Sequence, residues 1–143
     1  MEYRAGGGVI AARLDIGDEI VGCVARIAEE TGTEFATVSG IGALSLLAVS
    51  VYDVGKKVYF DNVFEEPTEI VSLSGTVTRM NGEPYVHLHA SAGRADGSVC
   101  GGHLKRAVIG ATGEIVLRPA DIAVGRVRDE RTGLNVYSFA EEK

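Results

Sequence analysis

Beyond residue 34 the sequence is a series of short β-prone runs separated by turn signals, and this pattern strongly limits the possible folds. Val, Ile, Thr, Tyr and Phe dominate the runs, and Val54-Gly55, Met80-Asn81-Gly82 and Ala95-Asp96-Gly97 separate neighbouring runs. Such short turns join antiparallel neighbours, because parallel strands need a crossover of a dozen residues or more. We therefore expect antiparallel strands near residues 34–39, 44–53, 56–63, 69–79, 85–92, 99–108 and 114–117.

One amphipathic helix is predicted before these strands. Between residues 18 and 31 apolar side chains recur every three or four positions, and Gly32 provides a stop. Residues 9–14 indicate a buried strand, residues 105–110 a second short helix, and residues 134–139 a last strand after a Thr132-Gly133 turn. The expected fold class is α+β, a mainly antiparallel β-sheet packed with one long and one short helix. It forms a single domain, residues 1–143, with a flexible N-terminus at about residues 1–8.

Size and charge narrow the possible functions. With 143 residues, 45% of them hydrophobic, the chain can bury a core without a disulfide or a metal, so a metal site would indicate a function. A net charge of −6 disfavours intrinsic affinity for nucleic acids. No apolar run approaches the roughly 20 residues of a membrane span, and the N-terminus does not resemble a secretory signal. We expect a cytoplasmic chain with no membrane span.

All three histidines of the chain fall on one predicted hairpin. His87 and His89 form an H-x-H motif on a strand, where residues two apart share a face with Cα atoms about 6.5–7 Å apart. Val86, Leu88 and Ala90 then face the apolar core. Two imidazoles leaving the same face can converge on one cation.

The third histidine follows on the next predicted strand, after an Asp-Gly turn. If the hairpin is centred on residue 96, His103 lies directly opposite His89, and Lys105 lies opposite His87. Cross-strand partners are about 4.5–5.5 Å apart, so the third ring completes a cluster. Gly101-Gly102 leaves this register open, because glycines permit a bulge or a close approach of another backbone. A slip of one residue would break the cluster.

Three neutral imidazoles favour zinc, or another divalent transition metal such as nickel, cobalt or iron. A fourth position would stay open for water, a ligand carboxylate or a substrate. The alternative is a surface or interface histidine cluster without a metal, and spacing alone does not decide between them. Cys100 is a weaker candidate, because an offset of three from His103 places it on the opposite face.

A metal-bound water could support hydrolysis, provided that a proton acceptor lies nearby. Glu69 and Glu114, each on a predicted strand, are weak candidates for such a catalytic residue. The sequence does not place either of them near the histidines.

Several segments together resemble the PPC domain, the plant and prokaryote conserved domain. The most specific of them are Tyr85-Val86-His87-Leu88-His89-Ala90 and Gly101-Gly102-His103-Leu104, in that order across a short Asp-Gly turn. The likeness extends over nearly the whole chain, through residues 14–21, 38–43, 66–75, 82–90 and 101–104.

This resemblance implies a compact α+β domain that assembles as a homotrimer and holds a metal, usually zinc, on His87, His89 and His103. In land plants the domain is joined to an AT-hook and associates with DNA, and prokaryotic single-domain members are often predicted to bind DNA. Here Gly125-Arg126-Val127-Arg128 is not the Arg-Gly-Arg-Pro core of an AT-hook.

The leading hypothesis is a stand-alone, trimeric metal-binding module with one zinc or other divalent ion per subunit and a small-molecule ligand of unknown identity. A DNA-associated regulatory protein is the second hypothesis, although its charge disfavours direct DNA binding. A metal-dependent hydrolase or lyase of unknown substrate is the third. The sequence leaves enzymatic activity undecided.

Overall fold

The computed structural model describes residues 1–139, so the last four residues of the expected domain lie outside it. In chain order the elements are β1 (Glu2–Gly6), β2 (Val9–Asp15), α1 (Ile20–Glu30), β3 (Ala36–Asp53), β4 (Val58–Phe64), β5 (Thr68–Met80), β6 (Glu83–Gly93), β7 (Val99–Pro119), β8 (Gly125–Asp129) and β9 (Leu134–Ser138). The predicted antiparallel sheet with one long helix is confirmed. Within the described residues no helix combines the length and apolar character that crossing a bilayer requires.

Seven strands form one antiparallel sheet that closes on itself. Their order is β1-β2-β7-β6-β5-β3-β4, and β7 also pairs with β3, so that β3, β5, β6 and β7 make a complete cycle of neighbours. Such a cycle removes edges from its four members and encloses a core. The strands β1, β2 and β4 extend the sheet outward from this cycle.

The two long strands β3 and β7 lie side by side over most of their length, from Ala36 opposite Pro119 to Ser50 opposite His103. Three register shifts interrupt this pairing and bend the strands. At Gly40 an added Cβ would lie 2.8 Å from the Glu114 carbonyl oxygen, so only glycine permits this approach. The sequence predicts each long strand as two shorter ones, because the glycines that mark these irregularities also resemble strand ends.

The helix α1 covers the core with the apolar stripe that its sequence predicts. Ile20, Val24 and Ile27 are fully buried. The Glu19 carboxylate caps the helix by accepting hydrogen bonds from the backbone N–H groups of Val21 and Gly22, at 3.1 and 2.7 Å. It also accepts one from the Ala107 N–H at 3.2 Å, which ties the helix to β7.

Two sequence-based expectations are wrong. Residues 105–110 form part of β7 rather than a second short helix, because β3 lies beside them and supplies their backbone partners, for example Leu44 opposite Ile109. Residues 1–8 are not a loose terminus but form β1 and a tight turn onto β2. In that turn Gly7 and Gly8 adopt positive φ angles of 58° and 75°.

The small hairpin β8–β9 lies against the main sheet and includes the predicted last strand. It pairs from Gly125 opposite Ser138 to Asp129 opposite Leu134. The Tyr52 hydroxyl donates to the Thr132 carbonyl in the hairpin turn at 2.8 Å. These contacts place the hairpin beside the strands that carry the histidines.

Candidate metal centre

The three histidines converge at the β6–β7 hairpin. His89 lies directly opposite His103, which confirms the register predicted from the turn. The turn is closed by Arg94 N–H donating to the Ser98 carbonyl at 2.8 Å, so that residue 96 is its centre. Ring centroids are 5.3 Å apart for His87 and His89, 5.0 Å for His87 and His103, and 5.5 Å for His89 and His103.

Strand alternation explains why the rings share one side of the sheet. On β6 the neighbouring Leu88 and Ala90 are buried in the core, whereas His87 is half-buried and His89 is exposed. The period of two therefore separates core residues from candidate ligands, as the sequence predicts.

Close backbone approaches fix the position of the third histidine. A Cβ on Gly102 would lie 2.6 Å from the Ser50 carbonyl oxygen of β3, and a Cβ on Gly101 would clash with the Ala90 carbonyl of β6. The glycines before His103 therefore let β7 pass between two neighbouring backbones. Of the two possibilities left open by the sequence, a bulge or a close approach, the structure has the close approach.

The environment of His87 and His103 favours their neutral imidazoles. Burial, the neighbouring His87 and the Lys105 ammonium lower the pKa of His103 from 6.5 to about 4. Burial and the Arg126 guanidinium lower the pKa of His87 as well. At neutral pH these rings therefore carry a free lone pair, which is the form that binds a metal.

The donor set fits a divalent transition metal. One ligand atom from each histidine lies within 4.8 Å of the other two, and no other residue of the described chain joins the group. Zinc–nitrogen bonds of about 2.0–2.1 Å require somewhat closer spacing, which modest rotations of the rings can supply. Three imidazoles on one side of a sheet would leave a further position of the ion open.

A cavity of about 610 Å³ adjoins the histidines. Its walls include four of the five tyrosines of the chain, together with residues of the β8–β9 hairpin. These tyrosines are Tyr52, Tyr59, Tyr85 and Tyr137. Tyr59 packs against His103 with the ring centroids 5.6 Å apart, so the aromatic wall begins at the histidine cluster itself.

Of the described residues in this wall, Arg126 of β8 is the one with a charged side chain. Its Nε donates to the Thr78 hydroxyl at 3.1 Å and its Nη1 donates to the Asn135 carbonyl at 3.1 Å. The guanidinium carbon lies 4.8 Å from the Tyr85 ring centroid and 4.4 Å from that of Tyr137. Hydrogen bonds and two aromatic faces therefore hold this cation in place.

The other candidates from the sequence lie elsewhere. Glu69 is opposite Gly93, four residues along β6 from His89, which is roughly 13 Å of extended chain. Glu114 is opposite Ile41, far along β7 from His103. Lys105 points its ammonium over the Tyr59 ring, 3.8 Å from the centroid.

Cys100 also lies outside the cluster. It is paired with Ala92, and its thiol lies 3.6 Å from the Ala92 carbonyl. Cys23 and Cys100 are both free thiols.

The aromatic wall and Arg126 were not identified from the sequence. Tyr85 shares the alternating face of His87, which is the one local signal that could have indicated it. Arg126 lies in a charged segment of a kind that is typical of exposed turns. Only the packing of the hairpin against the sheet brings it to the histidines.

The chain is similar to a known domain family and to several solved structures. Residues 1–121 match the family model of the Plants and Prokaryotes Conserved (PCC) domain. No curated protein sequence matches the chain. A solved protein from Archaeoglobus fulgidus, described as metal-containing, is 37% identical with a TM-score of 0.85, over 96% of this chain and 97% of that one.

Two further solved structures are similar. A Bacteroides thetaiotaomicron protein named a "putative DNA binding protein" is 32% identical, with a TM-score of 0.93 and 96% of each chain covered. A plant- and prokaryote-conserved (PPC) protein from Pyrococcus horikoshii is 26% identical, with a TM-score of 0.85, over 99% of this chain and 97% of that one.

The low pKa of His103 predicts a pH-dependent stability of the metal-free protein. Because the pKa is about 4 in the folded chain and about 6.5 in an unfolded one, the unfolded chain binds the proton first as the pH falls. The free energy of unfolding is therefore expected to decrease from about pH 6.5 towards pH 4. Urea unfolding at pH 7 and pH 5 should give a larger decrease for the wild type than for His103→Gln. Equal decreases in the two proteins would contradict this assignment.

Proposed function

We propose a function from the premise that this chain belongs to the Plants and Prokaryotes Conserved (PCC) domain family. The protein is a metal-binding module that holds one zinc ion per subunit on His87, His89 and His103, and it assembles as a homotrimer. One observation carries the metal proposal, namely the convergence of three histidine ligand atoms within 4.8 Å. The name of the Archaeoglobus relative, a metal-containing protein, supports it.

Zinc is favoured among the divalent transition metals by the donors available. Imidazole nitrogens suit zinc, and three of them with an open position are typical of a site that also receives water or a ligand. Because strand pairing and close backbone contacts position the ligands, little ordering remains to be done when the ion binds. The chain does not need the ion for its core, which consists of apolar residues distributed over the sheet and helix.

A role for the module as a hydrolase or lyase lacks support among the described residues. Such a reaction needs a proton acceptor beside a metal-bound water. The described part of the cavity wall contains no carboxylate, and Glu69 and Glu114 lie elsewhere on the sheet. We therefore propose binding, not catalysis, as the function of the site.

Metal analysis of the purified protein tests the proposal. The wild type is expected to retain about one zinc per chain after dialysis, whereas His89→Ala should bind zinc at least tenfold more weakly, because two imidazoles remain. His89 is exposed, so its truncation leaves the core intact. Cys100→Ala is the matched control and should retain the wild-type zinc content. Full zinc retention by His89→Ala would overturn the three-histidine site.

The trimer is supported by the exposed apolar surface at one end of the sheet. The strand β4 is an edge strand, and Val58, Phe60 and Val63 on it are 42%, 50% and 59% exposed. An uncovered edge with apolar side chains favours association with another chain.

Sedimentation analysis tests the assembly. The wild type is expected to sediment as three chains of 15.0 kDa each. Val63→Glu, which places a charge on the exposed edge, should shift the protein towards monomers. Val127→Glu makes the same change at an exposed valine on β8 and should leave the assembly intact. A monomeric wild type would contradict the homotrimer.

Association with DNA is the second candidate, favoured by the name of the Bacteroides relative. The net charge of −6 per chain opposes direct contact with phosphates, and three chains together would carry three times that charge. We expect no mobility shift of duplex DNA by the purified protein in buffer of low ionic strength. A shift that weakens as salt is added would instead establish direct DNA binding.

A further inference from the structure

Among the described residues, the cavity beside the three histidines has cationic neighbours and no anionic side chain in its wall. Arg126 lines it, and no aspartate or glutamate does so within the described chain. Lys105 lies next to it on the Tyr59 ring. Asp61 accepts a hydrogen bond from the Ser50 hydroxyl at 2.6 Å, but it is not part of the wall.

From this arrangement we infer that the cavity binds a small organic molecule with an oxyanion group, a carboxylate or a phosphate, placed between Arg126 and the open side of the metal. The inference rests on the proposed metal site and specifies the chemical class of its ligand. A divalent ion together with Arg126 and Lys105 concentrates positive charge that no described side chain of the wall balances. An oxyanion supplies the missing negative charge and can also bind the ion through oxygen.

Arg126 is prepared for this role by its surroundings. Two of its guanidinium nitrogens donate to Thr78 and Asn135, which fix its orientation, and its Nη2 is buried without a hydrogen-bond partner. The guanidinium therefore keeps one donor nitrogen that no described residue satisfies, on a side chain that lines the cavity. The Tyr85 and Tyr137 rings shield the guanidinium from water, so its charge acts more strongly on a nearby anion.

The size and walls of the cavity favour an organic molecule over a bare inorganic ion. Its volume of about 610 Å³ is within the roughly 300–1,000 Å³ of typical small-molecule sites. Tyr52 and Tyr59 have their ring centroids 4.7 Å apart, and Val51, Leu134 and Val136 add apolar surface. The anionic group is therefore expected to have a flat or apolar body that packs among these side chains.

The β8–β9 hairpin lies outside the residues that the family model matches, although the solved relatives cover 96% or more of this chain. The matched residues end at 121, whereas Arg126 and Tyr137 lie in β8 and β9. The histidines therefore belong to the part of the chain that matches the family, and the anion-binding side of the cavity belongs to the part beyond it.

Titration of the cobalt-substituted protein tests the inference without any assay of activity. The probes are benzoate, phenyl phosphate and the neutral benzamide. Binding of each probe is measured from the visible spectrum of the cobalt ion and by calorimetry. At least one of the two anions should bind about tenfold or more tightly than benzamide, and should change the cobalt spectrum. The anion that binds more tightly shows whether the ligand carries a carboxylate or a phosphate. Equal binding of all three probes would overturn the inference.

Charge-neutral variants locate the interaction. Arg126→Gln should weaken binding of the preferred anion about tenfold while the metal content stays unchanged. Arg128→Gln removes the same charge from an exposed position of the same strand and should leave binding within about twofold. Lys105→Gln should weaken binding of the preferred anion about threefold. Because Lys105 lies outside the β8–β9 hairpin, this variant provides a test even if Arg126→Gln disturbs the hairpin.

The outcomes separate this inference from the proposed function. A wild type that takes up no divalent ion would overturn the metal site and this inference with it. A wild type that holds its ion but binds neither anion better than benzamide would overturn only the inference. Equal anion affinities for Arg126→Gln, Lys105→Gln and Arg128→Gln would do the same.

Discussion

The pairing of β6 with β7 is the interaction on which the candidate site depends. It places His89 opposite His103 and brings His87 to the same side. Because side chains alternate along a strand, a shift of one residue would turn the third ring into the core. The Asp96-Gly97 turn sets the register locally, and the glycines before His103 hold it where three backbones meet. Pairing thus determines both the fold and the geometry of the donors.

Closure of the sheet explains how such a short chain holds this geometry. The cycle of β3, β5, β6 and β7 depends on two long strands that bend past one another, and glycines occupy the points of closest approach. A side chain at Gly102 would push β7 away from Ser50 and displace His103 with it. The features that bend the sheet are therefore also the features that position a ligand.

The electrostatics of the site complement its geometry. Burial and nearby positive charge keep the His103 and His87 rings neutral, so they are free to bind a cation. The same positive charges, Arg126 and Lys105, disfavour a bare dication and favour one that is accompanied by an anion. In our proposals the ion and the oxyanion each reduce the electrostatic cost of the other, which links the metal site to the aromatic cavity beside it.

The sequence by itself determined that antiparallel strands follow one main helix, and it predicted a hairpin register that brings the three histidines together, because periodicity and turn chemistry act over only a few residues. It left that register open at Gly101-Gly102 and divided each long strand in two. It did not determine that residues 105–110 are a strand, that the N-terminus pairs with β2, or that Glu69 and Glu114 lie away from the histidines. Those features depend on β3 running beside β7 and on contacts between residues distant in the chain. Arg126 reaches the cavity for the same reason, since only tertiary packing carries the β8–β9 hairpin to the histidines.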